Sequence, residues 1–259
     1  MRFIRLSLRQ AGFNLQGYLR SSRTVIFGVV MPVGFLVLFN SVFGGKFKFV
    51  PVDGHFVSTI AFYTGGLTTY GVMLGSFTGI LVAVVGAREA GWLKRYRGTP
   101  TPSGVFLAGE IIYLFVTSLG LIVVMFAVSD LGYNLSLRAA VLLTILCYTA
   151  LGVFTFAAMG LALTRVITTS EMSGSVGPFT VVILSFVSGV FLQPNLLPHW
   201  LLNFSSYLPL EPLVSSMQHT LAASSGTGFE LRTFVVLGIW GIVSFAIAQR
   251  TFTWEPQRR

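Results

Sequence analysis

The chain has 259 residues, 54% of them hydrophobic and only 10% charged, with a mean hydropathy of +0.80, where soluble domains carry about 25% charged residues. That composition excludes an ordinary soluble domain and points to an all-α integral membrane protein, because lipid offers the backbone no hydrogen-bond partner and helices satisfy their own. The formal charge of +9 and the pI near 10.2 do not require nucleic acid as a partner, since the basic residues fall between apolar runs in a pattern that membrane topology explains.

Residues 2–20, "RFIRLSLRQAGFNLQGYLR", precede any apolar run. At about 100° per residue, Arg2, Arg5, Arg9 and Arg20 share a narrow sector, and Ile4, Leu8, Ala11, Leu15, Tyr18 and Leu19 fill the neighbouring one. The spacing predicts a helix within residues 1–22 that lies on the cytoplasmic leaflet, its arginines on lipid phosphates and its apolar face in the acyl boundary.

Six runs are long and apolar enough to cross a hydrocarbon core of about 30 Å: residues 24–43, 60–86, 104–129, 139–164, 174–193 and 231–249. No gap between them holds a soluble catalytic domain of about 100 residues, so any energy source is expected on another subunit. A cleaved signal peptide is not expected, because the first run follows a long basic stretch and "VFGGKF" is a poor cleavage site. Pro32 in the first run and Gly174, Gly177 and Pro178 in the fifth are sites for kinks. Gly71, Gly75 and Gly79 form a GxxxGxxxG ridge in the second run, suited to packing within the chain or to a seam between copies.

With the N-terminus in the cytoplasm, thirteen of the seventeen Lys/Arg fall inside, and only Lys46, Lys48, Arg138 and Arg232 fall outside. The positive-inside rule therefore puts both termini in the cytoplasm. Among the inside segments, residues 87–103 stand out, within "GAREAGWLKRYRGTPTPSG". Ala90, Leu93 and Tyr96 form one stripe, and Arg88, Gly91 and Arg95 another. The Thr99-Pro100-Thr101-Pro102 run ends the helix abruptly. A short two-faced helix held at the membrane surface is a docking element.

Residues 194–229, "PNLLPHWLLNFSSYLPLEPLVSSMQHTLAASSGTGF", contain no Lys or Arg and four prolines. Their apolar pieces are too short to cross, which predicts an extracellular re-entrant helical hairpin between the fifth and sixth spans.

Little else carries chemistry. Glu110 is the one acid well inside a run, placed to pair with Arg88 or Arg165 or to sit protonated. His55, His199 and His219 share no metal-ligand spacing, so no metal site is expected. The one Gly-Lys pair, Gly45-Lys46, lacks a Walker context, so ATP is not expected to bind this chain by that route.

The loop "REAGWLKRYRGTPTPSGVFLAGEI" is similar to an R-E-x-G-x-L-K-R-x-R-x-T-P segment, and "SGVFLQPNLLPHWLLNFSSYLPLEPLVSSM" to an F-x-S-G-V-F…L-P-x-W-L…P-L-x-P-L segment. With the basic N-terminal helix and six spans, the chain resembles the permease subunits of bacterial type-2 ABC exporters. The resemblance implies that Arg88, Glu89, Gly91, Leu93, Lys94, Arg95, Arg97, Thr99 and Pro100 belong to a coupling helix against the nucleotide-binding subunit. It implies that Ser188, Gly189, Leu197, Pro198, Trp200, Leu201, Pro209, Leu210 and Pro212 cap the pathway outside. One departure is that many relatives carry Lys or Arg shortly after the Thr-Pro, where this chain has Glu110.

The same resemblance implies two permeases, a homodimer or a pair of different ones, acting with two ATPases that hold ATP and Mg, in a bacterial cell membrane. Substrate would pass between permeases along the second and fifth spans, where Phe62, Tyr63, Tyr70, Phe77, Phe179 and Phe186 offer apolar and cation-π contacts. The expected cargo is a drug, antibiotic or other amphipathic compound. A lipid-linked polysaccharide is the alternative within the class, and an ion-coupled carrier is disfavoured by the scarcity of acids and histidines in the spans.

Overall fold

A computed structural model describes residues 2–44, 48–52, 54–97, 104–223 and 226–251. The protein is a helical membrane protein, and among the described residues six helices are long and apolar enough to span a bilayer, Ile26–Phe43, Thr59–Glu89, Gly104–Tyr133, Ala139–Leu163, Ser170–Val187 and Leu231–Arg250. The helix Arg2–Arg20 precedes them. An antiparallel hairpin, Phe49–Val52 with His55–Ser58, joins the first two spans. Short helices His199–Ser205 and Leu210–Ala222 lie between the fifth and sixth.

The second span is the axle of the bundle. Ser58 caps its start by accepting from the Ala61 N–H at 3.2 Å, and between Thr59 and Met73 nearly every side chain is buried. Around it pack the first, third, fourth and fifth spans and the helix Leu210–Ala222, while the sixth span packs chiefly on the fourth. The glycine ridge is divided. A side chain at Gly71 or Gly79 would collide with Leu121 or Leu114 of the third span, whereas Gly75 faces open space. The cause is a π-helical turn over Leu74–Thr78, whose extra residue per turn rotates Gly75 off the ridge.

The first span likewise begins with a π-helical turn, Ile26–Val30, in which the Met31 N–H donates to the Ile26 carbonyl. Pro32 follows at once. A proline ring crowds the carbonyl four residues back and supplies no donor, and the widened turn accommodates both.

The fifth span differs from its predicted limits of 174–193. It starts at Ser170, because Thr169 adopts extended backbone and its hydroxyl accepts from the Met172 N–H at 3.3 Å. It ends at Val187 because Gly189 takes a left-handed φ of 71° that reverses the chain. The helix runs through Pro178 without interruption.

The hairpin is not among the elements expected from the sequence; its segment, "FVPVDGHFVS", carries two alternating runs about an Asp-Gly pair. Its register pairs Phe49 with Ser58 and Val52 with His55. Val50, Val52 and Val57 are buried beneath it, while Phe49 and Phe56 are exposed.

Candidate functional site

At the end of the bundle that carries the arginine-rich N-terminal helix, the second span stops at Glu89. The Ala90 N–H still reaches the Gly86 carbonyl, and the Gly91 N–H donates to Arg88. Gly91 then turns the chain with a φ of 73°, a left-handed conformation that costs a residue with a Cβ about 1 kcal/mol. The six-residue helix Trp92–Arg97 follows. Leu93 is 1% exposed and joins the main core, while Trp92 and Arg95 face outward. The side chains of Lys94 and Arg97, and the residues Thr99 and Pro100, lie outside the described residues.

The turn at Gly91 overturns the predicted pairing of stripes. Ala90 and Leu93 do not share a face, since Ala90 is exposed and Leu93 buried. Arg88 does not join Arg95 on a charged surface, because it belongs to the last turn of the span and is only 2% exposed. Its Nη1 donates to the Thr164 carbonyl at 2.9 Å and its Nη2 to the Ile167 carbonyl at 2.8 Å. Glu89 turns the same way, accepting from the Ser170 N–H at 2.9 Å and from the Ser170 hydroxyl. Both side chains expected at an ATPase contact are thus engaged within the chain. The signal for this was "TRVITTSE", a segment whose Thr-Ser start of a helix invites an acceptor, but nothing local names the acceptor.

The N-terminal helix does not float free of the bundle. It packs along the third span, burying Ser7 and Ala11. Gly109 permits the approach, since a Cβ there would lie 2.6 Å from Gln10 Cγ. Asn14 Nδ2 donates to Glu110 Oε1 at 2.7 Å, and Tyr18 meets Tyr113 edge-on at 6.0 Å between centroids. Glu110 therefore finds a neutral amide from the N-terminal helix, where pairing with Arg88 or Arg165 was expected. Arg88 is committed to backbone carbonyls instead. Arg2, Arg5, Arg9 and Arg20 are all exposed, as are Ile4, Leu8, Phe13 and Leu19.

The six aromatic residues expected along a pathway fall into two sets. Phe62, Tyr63, Tyr70 and Phe77 are at most 5% exposed. Tyr63 packs on Phe39 at 5.1 Å and Tyr70 on Phe191 at 5.5 Å, so within one chain they serve as core. Phe179 and Phe186 of the fifth span are 66% and 47% exposed, and Phe186 also touches the core through Phe191 at 5.0 Å between ring centroids.

At the opposite end of the bundle a buried glutamine ties three segments together. Gln218, 1% exposed, sends its amide to the Phe62 carbonyl at 3.2 Å and the Gly189 carbonyl at 3.3 Å. Ser188 is buried and Gly189 forms the turn after the fifth span; Pro198 and Pro209 precede the two short helices and Pro212 is buried in the second. Leu197 ends the turn Pro194–Leu196 ahead of the first short helix, and Trp200 is exposed. A cavity of about 410 Å³ opens here, lined among others by Ser188, Gly189, Asn203, Glu211, Gln218 and Arg232.

Beside it the structure joins residues that spacing left apart. His219 Nδ1 lies 2.7 Å from Glu230 Oε1 and its Nε2 3.2 Å from the Val52 carbonyl. Both ring nitrogens thus face acceptors, an arrangement the doubly protonated ring satisfies. The hydrogen bond from His219, aided by one from Ser216, holds the Glu230 carboxyl below its ordinary value of 4.5 against the opposing effect of partial burial. His55 packs edge-on against His219 at 5.3 Å.

Among the described residues, five spans beside a largely buried second one, a short helix held by Leu93 at one end and a proline-rich cap at the other define a multi-pass membrane protein. The family model described as ABC-2 type transporter matches residues 11–222, and the chain belongs to that family. This family forms the transmembrane part of ABC transporters and works with an ATPase on a separate subunit. No curated protein matches the chain.

Proposed function

We infer that this chain is the permease of an ATP-driven exporter that moves a hydrophobic or amphipathic compound out of the cytoplasm or the inner leaflet of a bacterial cell membrane. The observation that carries the reading is the helix Trp92–Arg97, held by buried Leu93 while Trp92 and Arg95 stay exposed. An aromatic and a cation on a short pinned helix are the residue types that dominate protein interfaces. The ATPase, holding ATP and Mg, docks there, which places the arginine-rich end and both termini in the cytoplasm.

Two permeases pair, and the exposed Phe179 and Phe186 face of the fifth span lines the passage between them. Described spans with a single buried acid, Glu110, suit an uncharged or weakly cationic apolar cargo better than an ion-coupled one. The cap of Ser188, Gly189, Trp200 and the prolines closes the passage outside.

The test is to purify the tagged chain from native membranes in mild detergent, identify what accompanies it and assay hydrolysis. A stoichiometric subunit with Walker motifs and vanadate-sensitive ATPase activity is expected. Trp92→Ala should weaken its retention by about 2 kcal/mol, the scale of an interface anchor. A pure preparation without any nucleotide-binding subunit overturns the reading.

A further inference from the structure

We propose that Arg88 and Glu89 form a clamp that makes the coupling segment and the start of the fifth span move as one body. The proposal rests on the permease reading above but assigns these two residues a different task from contact with the ATPase.

The geometry is that of a two-pronged grip on a connection. The fourth span ends at Leu163 and the fifth begins at Ser170. The six residues between them are held at both ends by two consecutive side chains of the second span. Arg88 takes the carbonyl of Thr164, where a helix C-terminus leaves acceptors unmatched and carries partial negative charge, and the carbonyl of Ile167 in the link beyond it. Glu89 takes the N–H and the hydroxyl of Ser170, where a helix N-terminus leaves donors unmatched and carries partial positive charge. Each charge sits on the end of the helix whose dipole it complements, and exchanging the two residues would set both against it.

Beneath the grip, Leu81, Val85 and Ile167 form a small core of their own, packed by Leu163 and Val176. This small core adjoins the main one through Leu163, which packs on both, so the connection and the start of the fifth span rest on the second span. Thr169 completes the start of the fifth span by capping Met172. On the other side of the grip only Ala90 and Gly91 separate Glu89 from the helix Trp92–Arg97. A push on Trp92 or Arg95 therefore reaches the fifth span through one rigid turn and two charge-assisted contacts, which bend less than a free loop. Phe179 and Phe186 lie on the span that is moved.

Hydrogen exchange on the purified permease–ATPase complex, nucleotide-free against vanadate-trapped, tests this. In the unaltered complex, peptides covering residues 92–97 and 164–175 should both change protection on trapping. In Glu89→Ala the change at 164–175 should fall about tenfold while that at 92–97 persists, the size of a typical coupling constant.

Ser170→Pro approaches the same contact from the other side. It deletes both donors to Glu89 yet suits the first position of a helix, after a Thr169 already extended. It should reproduce the loss. A change at 164–175 that survives in either variant, or that is absent from the unaltered complex, overturns the clamp. A preparation lacking any ATPase overturns the permease reading with it, so the two failures are distinguishable. A purely structural contact would shift protection equally in both nucleotide states and leave their difference intact.

Discussion

The helices Arg2–Arg20 and Leu210–Ala222 are both amphipathic segments too polar to span a bilayer, yet the first buries only Ser7 and Ala11 of its 19 residues and the second buries ten of 13. Apolar content does not explain the difference, since Ile4, Leu8, Phe13 and Leu19 of the first remain exposed while Ser215, Ser216, Gln218 and Thr220 of the second are inside. What separates them is the supply of hydrogen-bond partners. Every buried polar side chain of the second helix meets an acceptor: Pro212 for Ser215, Glu230 for Ser216, Phe62 and Gly189 for Gln218, and Gly228 for Thr220. A buried polar group with a partner costs little, and one without costs about 1–3 kcal/mol. The first helix meets Glu110 through Asn14 and carries four exposed arginines that need water or lipid phosphate.

The strongest way to break this comparison is to remove matching apolar groups from the two helices. Leu213, 1% exposed with its Cδ2 close against Gly152, should cost about 2–5 kcal/mol as Leu213→Ala. Thermal unfolding of the purified protein in detergent reads it, and a loss near zero would mean that the cap is not packed as described.

Gln218→Ala should cost about 1–3 kcal/mol in the same assay, because two buried carbonyls lose their donor. If it cost no more than a surface change, hydrogen-bond supply would not be what keeps this polar helix inside.

A smaller, pH-dependent effect is expected at Glu230, whose side chain is 35% exposed. Its carboxyl is held below the ordinary 4.5 in the folded protein, so the unfolded chain binds the proton first on acidification. The stability this contributes is present above about pH 4.5 and is lost as pH falls through the lower folded value. The melting temperature should therefore drop across that window, and Glu230→Gln should flatten the drop; an equal slope in the variant would contradict the assignment.

The smallest effect belongs to the N-terminal helix. Leu8, 54% exposed, should change detergent stability by less than about 0.5 kcal/mol as Leu8→Ala. Thermal unfolding in detergent reads this too, and a loss as large as that of Leu213→Ala would mean that the exposed face of the first helix is packed.

Composition and periodicity were enough for the class, the number of spans and most of their limits, since long apolar runs with sparse charges have one stable solution in lipid. They also placed the short helix after the second span, because Pro100 and Pro102 and the mixture of Trp, Leu and Arg are local signals. The inward turn of Arg88 and Glu89 was not legible. Their partners at Thr164, Ile167 and Ser170 lie 76 to 81 residues away, and the turn at Gly91 separates their face from that of Arg95. The break in the glycine ridge was hidden too, because a π-helical turn leaves no mark on a periodicity read at a fixed angle per residue. His219, Glu230 and His55 meet only after the cap has folded against the hairpin.

A chain's own residues specify which segments leave water, because that depends on side chains summed over a run. Which charge meets which helix end depends on where distant segments are brought together, and here the second span, buried on all sides between Thr59 and Met73, makes that choice for both ends of the molecule.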